Sequence, residues 1–310
     1  MTKAPEQRAA TGAEPSRFTA FGMAAEADRI APGLHLVATP IGNLKDISFR
    51  ALGTLAAADA VIAEDSRVTK GLLAHYGITT PLLSYHEHNA AQMRPRIMAR
   101  LHEGQALALV SDAGTPLVSD PGYKLVEDAL AAGIEVTSVP GPSAVLTALV
   151  VSGLPTDSFF FGGFLPPKSA ARRARLLGLA QVPGTLVFFE SAQRLGDMLA
   201  DAAAILGPRP AAVARELTKL YESVVRGDLP YLAGHYAEAG PPRGEIVVLI
   251  GGPIAAAVAE DDLDERLRRL LADHSLKEAV ALVTAETGLP RRDVYARALL
   301  IGPKDRGEPE

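Results

Sequence analysis

The chain has no cysteine. That excludes disulfides, thiolate chemistry and cysteine-based zinc sites, and it suits a reducing cytoplasm. No stretch approaches the apolar length of a membrane span, and the first residues lack the continuous apolar core of a signal peptide. G-x-x-x-x-G-K-[ST] does not occur, which argues against a loop that cradles a triphosphate. No G-x-G-x-x-G follows the first predicted strand, so the dinucleotide fingerprint is absent. Neither G-x-S-x-G nor H-E-x-x-H occurs, so serine-hydrolase and zinc-peptidase readings lose support. Positive charge is not in excess. The formal net charge of -5 argues against nonspecific coating of nucleic acid and leaves room for a local basic patch.

What remains is an ordinary soluble composition, 48% hydrophobic and 22% charged, over 310 residues, long enough for two domains. The organising stretch is Ala106 to Gly122, ALALVSDAGTPLVSDPG. Its short apolar run, closed by turn residues, fits a strand buried on both faces. Ligands of open parallel sheets sit beyond the carboxyl ends of the strands, where Asp112 and Gly114 fall. Gly114 lets a backbone approach a ligand closely, and Asp112 offers a carboxylate. Asp120-Pro121 predicts a helix start and Gly133 its end.

Residues 1–30 read as a flexible tail without periodicity. Residues 31–153 alternate strands (Leu34 to Ala38, Ala60 to Glu64, Pro81 to Tyr85, Ala106 to Val110, Glu135 to Val139) with helices. That pattern predicts a mostly parallel sheet covered on both faces. Gly153 to Asp157 marks a boundary. Residues 154–253 change character, with strands at Ser158 to Phe164, Thr185 to Glu190, Ala211 to Leu217, Tyr221 to Gly227 and Glu245 to Ile250. The third and fourth of these are close enough for a hairpin, so a mixed sheet with helices is expected. Residues 254–310 comprise a linker, Pro253 to Asp264, and helices. Ser275 caps one helix, Gly288-Leu289-Pro290 breaks it, and Val294, Ala298 and Leu299 recur at helical spacing in the next. Two short helices around a glycine turn match either a helix-turn-helix or a plain helical hairpin.

Three strand ends carry unusual turns: Thr39-Pro40-Ile41-Gly42-Asn43, Ser111 to Pro116, and Pro140-Gly141-Pro142-Ser143. A parallel sheet brings all three to one edge, which points to a nucleoside-like ligand with few or no phosphates. Ser143 could bind it or N-cap the next helix. His86 and His88 have no obvious third metal ligand. Lys168, Arg172, Arg173 and Arg175 form a basic cluster that is either a solvated helix face or a phosphate-contacting patch. Glu190, Arg194, Arg215, Glu216 and Lys219 sit at predicted strand ends, as salt-bridged structure or as catalytic groups.

These motifs resemble the ribosomal RNA small-subunit methyltransferase I family of the tetrapyrrole (corrin/porphyrin) methylase superfamily. The resemblance rests on T-P-I-G-N-L at Thr39 to Leu44, A-E-D-S-R at Ala63 to Arg67 and S-D-A-G-T-P-L-V-S-D-P-G at Ser111 to Gly122. P-G-P-S-A at Pro140 to Ala144, G-F-L-P at Gly163 to Pro166 and R-E-L-T-K at Arg215 to Lys219 extend it in the same order. It covers about Leu34 to Leu300. It implies an α/β fold of two domains around an S-adenosylmethionine cleft, a small C-terminal helix-turn-helix-like domain, and a homodimer. It implies 2'-O-methylation of a cytidine in the decoding region of 16S rRNA within the 30S subunit, without a metal. By position, Pro40, Asp112, Ala113, Gly114, Thr115, Ser143 and Ala144 are expected at the methyl-donor site from the first domain. Phe189, Ala214, Arg215 and Pro242 are expected from the second. Arg172, Arg173 and Arg175 are the expected RNA contacts. Phe189, Ala192 and Gln193 stand where relatives commonly show Tyr, Pro and His, and Ser66 stands where Thr is usual.

A ribose hydroxyl is a poor nucleophile at neutral pH, and a general base typically contributes ~10²–10⁴-fold. Glu64, Lys168 and Glu190 are the candidates. Two rivals remain: a methyltransferase acting on a tetrapyrrole or corrin precursor, and a non-catalytic RNA-binding module on the same fold.

Overall fold

A computed structural model describes residues 16–119, 122–253, 260–287, 289 and 291–301. Two strands, β1 (Arg17–Ala20) and β2 (Met23–Glu26), open it as an antiparallel hairpin. Then β3 (Gly33–Val37), α1 (Phe49–Ala57), β4 (Ala60–Ala63), α2 (Ser66–His75) and β5 (Leu82–Ser84) follow. They continue into α3 (Ala90–His102), β6 (Ala106–Val110), α4 (Tyr123–Ala131), β7 (Val136–Val139) and α5 (Ala144–Ser152). The strands β3 to β7 form one parallel sheet in the order β5-β4-β6-β3-β7. The central β6 is buried at all of its positions, as its unbroken apolar run requires. One face of this sheet is covered by α1 and α2 through Leu52, Leu55 and Leu73, and the other by α3 and α4 through Ile97, Leu101 and Leu125.

The second sheet is mixed. Its elements are β8 (Phe159–Phe164), α6 (Ser169–Leu179), β9 (Thr185–Glu190), α7 (Leu195–Leu206), β10 (Pro210–Arg215), β11 (Ser223–Asp228), α8 (Leu229–Ala239) and β12 (Ile246–Ile250). The order is β11-β10-β12-β9-β8, with only β8 and β9 parallel. Helices α6 to α8 cover one face, around Phe188. The other face is covered by α5, whose Val145, Ala148 and Leu149 pack on Val187, Ala212 and Leu249. So the last helix of the first unit seals the second sheet, and the turns of both sheets meet across it. Three helices end the described chain: α9 (Glu260–Asp273), α10 (Leu276–Thr287) and α11 (Arg291–Ile301), packed around Leu267, Val280, Val283, Val294 and Ala298.

Several local expectations need correction. The tail expectation gives way at β1 and β2. Their loop is Phe21-Gly22, both left-handed (φ 53 and 74), a two-residue turn whose twist suits a hairpin. Phe18 is thereby buried against α1, and the Thr19 N–H bonds to the Tyr76 carbonyl. Phe-Gly lacks the usual Asn-Gly signature, so nothing local announced it. Helix α4 starts after Gly122, and the predicted cap at Asp120-Pro121 lies outside the described residues. Helix α9 begins at Glu260, inside the predicted linker. Ser275 does cap α10: its Oγ accepts from the Glu278 N–H while the Glu278 carboxylate accepts from Ser275 N–H. Gly288 and Pro290 lie outside the described residues. On α11, Val294 and Ala298 are buried, whereas Leu299 is 58% exposed.

Candidate functional site

The three unusual turns converge at the carboxyl edge of the first sheet and are stitched together. Thr39 and Gly114 exchange backbone hydrogen bonds of 2.9 and 3.0 Å. Thr39 Oγ1 donates to the Ser111 carbonyl, and Thr115 Oγ1 donates to the Pro142 carbonyl. Gly114 has φ +82, and a Cβ there would lie 3.3 Å from Ile41 Cγ2, so a side chain would be both strained and crowded. The Ser143 hydroxyl accepts from the Leu146 N–H and caps α5.

Between these turns and the second sheet lies a cavity of about 280 Å³. Its first wall is Ala113, Gly114, Thr115, Ser143 and Ala144, with Ile41 beneath. Its second wall is Phe164, Phe189, Leu217 and the start of β12. The Phe164 and Phe189 rings meet edge to face at 5.7 Å. The lining is apolar with a few main-chain and hydroxyl polar groups, the usual character of a small-molecule site. Four non-glycine residues adopt left-handed backbone beside it: Leu117 (φ 73), Ser119 (67), Glu216 (52) and Thr218 (68). Such conformations cost of order 1–3 kcal/mol each and persist where the surroundings over-determine them.

A charged lip closes the second-domain side. Lys219 Nζ donates to Glu216 Oε1 at 2.9 Å and to Glu245 Oε2 at 3.1 Å. Glu216 is held below the ordinary carboxylate value, first by the Lys219 hydrogen bond and then by the Glu245 N–H. Burial pulls the Lys219 ammonium down, but the two carboxylates outweigh it and the net movement is upward. The Lys219 stem lies against the first-domain turn, and a Cβ on Gly42 would fall 2.5 Å from its Cγ. Arg215 staples the neighbouring turns by donating to Ser223 Oγ and to the Arg243 and Tyr221 carbonyls.

The expected donor-site residues therefore separate into three groups. Ala113, Gly114, Thr115, Ser143, Ala144 and Phe189 line the cavity. Pro40 and Asp112 instead line a second cavity of about 200 Å³ on the far side of the Thr39–Gly114 bridge. Ala214, Arg215 and Pro242 line neither: Ala214 is core, Arg215 staples the supporting turns, and Pro242 is half-buried in the segment before β12. Sequence reasoning missed Ile41, Phe164 and Leu217, because apolar wall residues carry the same signal as core, and Glu245, whose place on the wall depends on how β12 packs.

Of the three base candidates, only Glu190 reaches the first cavity's wall. The pleat decides its direction. Residues i and i+2 share a face, so Glu190 follows Leu186 and Phe188 toward α6 to α8, opposite Phe189. Its side chain is fully buried, with Oε1 accepting from the Ser191 N–H and lying 3.3 Å from Arg194. Arg194 in turn donates to the Leu165 carbonyl at 2.6 Å, which ties the turn after Phe164 to β9. Glu190 thus supports the wall from behind. Glu64 is half-buried and lines neither cavity. Lys168 is exposed at the start of α6 and also lines neither.

The basic cluster is also divided. Arg172 is not an available phosphate contact. It is 3% exposed, and its guanidinium bonds Asp201 at 2.7 and 2.8 Å and the Pro167 carbonyl. Arg173 is half-exposed and 3.5 Å from Asp201, while Arg175 is exposed over the Phe160 ring. The helical period turns one arginine into the core and leaves the others outside.

Comparison with known proteins places these features in a family. The family described as Tetrapyrrole (Corrin/Porphyrin) Methylases matches residues 33–233, and the RsmI C-terminal HTH domain matches residues 257–302. The chain is 52% identical over 269 residues to a Ribosomal RNA small subunit methyltransferase I from Mesorhizobium japonicum, covering 86% of this chain and 92% of that one. It is 50% identical to a protein of the same name from Xylella fastidiosa, covering 85% and 98%. Its fold matches the crystal structure of a Thermus thermophilus uroporphyrin-III C-methyltransferase complexed with S-adenosylhomocysteine. That match has a TM-score of 0.51 and 20% identity, over 71% of this chain and 97% of that one.

Proposed function

We propose that this chain, which belongs to the ribosomal RNA small subunit methyltransferase I family of tetrapyrrole methylases, methylates the 2'-oxygen of a cytidine in the decoding region of 16S rRNA. The observation that carries the reading is the first cavity, formed where the Ser111 to Pro116 turn faces Phe164 and Phe189. Its residues fit S-adenosylmethionine: Gly114 leaves backbone room for the nucleoside, Thr115 and Ser143 offer hydroxyls, and Ile41 and Leu217 supply apolar contact. When bound, S-adenosylmethionine supplies a methyl group already activated on a sulfonium.

The chain's part is alignment. Three stitched turns and a charged lip hold the cavity walls at fixed separation, and orienting two reactants can supply roughly 7–11 kcal/mol of the barrier. No metal is required for such a transfer. The exposed Arg173 and Arg175, and the three-helix unit of α9 to α11, are proposed to bind the RNA in the 30S subunit. Leu146 and Val150, one turn apart on α5 and 52% and 72% exposed, are proposed to contribute to a homodimer. Among the described residues no helix is long and apolar enough to cross a membrane, and a cytoplasmic location is part of the proposal.

The test supplies S-adenosylmethionine with either 30S subunits or a corrin precursor, and maps any RNA product by nucleoside analysis. A 2'-O-methylcytidine on the 30S arm alone supports the reading. Transfer to the corrin arm alone refutes it, and donor binding without transfer to either leaves a binding module.

A further inference from the structure

The second cavity raises a question that the donor site does not answer. It is walled by Thr39, Pro40, Leu44, Thr69, Leu72 and Asp112, among others. The Thr39–Gly114 bridge joins the two linings, Thr39 on this cavity and Gly114 on the donor cavity. Its volume of about 200 Å³ is several times the roughly 30 Å³ share of a water molecule. Leu44, Val68 and Leu72 give it apolar sides suited to a flat ring. Asp112 is the only ionisable side chain in its lining. One Asp112 oxygen accepts from the Asp65 N–H at 3.0 Å, and the other has no hydrogen-bond partner among the described residues. Arg67, the residue before Val68 of the lining, is 89% exposed, and both Asp65 oxygens orient its guanidinium at 2.7 and 3.0 Å.

We infer that this cavity holds the acceptor base and that Asp112 is a specificity residue that reads an exocyclic amine. The inference rests on the RNA-methyltransferase reading and deepens it. A carboxylate accepts from the N4 amine of cytosine, whereas uracil presents a carbonyl oxygen at that edge and is repelled. With the base in this cavity, the ribose spans the Thr39–Gly114 rim and turns its 2'-oxygen toward the donor cavity. Arg67 lies outside the rim as a contact for the neighbouring phosphate. This geometry also explains why Asp112, in the middle of a donor-side motif, points away from the donor.

Two variants test it. Asp112→Asn keeps an oxygen for the Asp65 N–H and replaces the second acceptor with a donor. Val68→Trp fills the cavity from a half-exposed position. Each is measured for S-adenosylmethionine affinity by calorimetry. Each is also assayed for methyl transfer to 30S subunits reconstituted with cytidine or uridine at the acceptor position. The expected result is unchanged donor affinity in both variants. Asp112→Asn should lower the cytidine-to-uridine rate ratio by about 10- to 100-fold, and Val68→Trp should lose transfer to both. A wild-type ratio in Asp112→Asn overturns the proposal, as does weakened donor binding with the ratio intact. If the wild-type enzyme binds the donor but transfers nothing to either subunit, the RNA reading itself fails and this inference falls with it.

Discussion

Replacing Arg172 with glutamine should unfold the second domain before it affects RNA binding. The guanidinium side chain is 4% exposed and Asp201 10%, with the closest nitrogen to oxygen distance 2.7 Å. Removing one partner of a buried ion pair leaves an uncompensated charge and typically costs about 3–5 kcal/mol. Ser169 still donates to Asp201 at 2.9 Å and Arg173 stands 3.5 Å away, which places the expectation at the lower end. For a unit of about 100 residues, a loss of about 3 kcal/mol lowers Tm by roughly 12–24 °C. Thermal or urea unfolding of the variant measures it directly. The companion double variant, Arg172→Met with Asp201→Leu, should recover most of the loss, because apolar replacements of similar volume often match a buried pair. An Arg172→Gln protein of wild-type stability but weakened RNA affinity would refute the argument and restore Arg172 as a phosphate contact.

Other outcomes follow from the same geometry. Gly114→Val should abolish or strongly weaken S-adenosylmethionine binding in a folded protein, since φ +82 and the Ile41 contact leave no place for a branched side chain; calorimetry with unchanged affinity would remove the donor site from this turn. Changing Arg173 and Arg175 together to Gln should weaken RNA binding and flatten its salt dependence by about 0.7 per lost phosphate contact, with stability unchanged. Glu216 sits below its ordinary 4.5, so its contribution is present above that pH and lost as pH falls through the lowered folded value. Lys219→Met should therefore remove part of the acid sensitivity seen in urea unfolding between neutral and acidic pH. Deleting residues 260–310 should reduce methylation of 30S subunits far more than donor affinity; equal activity of the truncated and full chains would deny the helical unit a role in substrate binding.

The sequence by itself determined the alternation of strands and helices, the change of pattern after Gly153, and the three turns that wall the first cavity. Those features are local. Unbroken apolar runs, glycines at left-handed positions and capping serines are fixed by short-range sterics and hydrogen bonding, so Ala106 to Val110, Gly114 and Ser143 could be read without a fold. What needed the tertiary structure was direction. Asp112 and Gly114 are two residues apart, yet the Thr39–Gly114 bridge sends them to different cavities. Glu190 and Phe189 are adjacent, yet the pleat turns one toward α6 to α8 and the other to the cleft. Arg172 and Arg173 share one basic run and both reach Asp201 on α7, yet only Arg172 is buried there, at 2.7 Å, while Arg173 stays half-exposed at 3.5 Å. In each case the residue type announced a polar or apolar function. Which neighbour it met depended on strand parity, helix phase and pairing between segments far apart in the chain, and those are set only when the sheets pack.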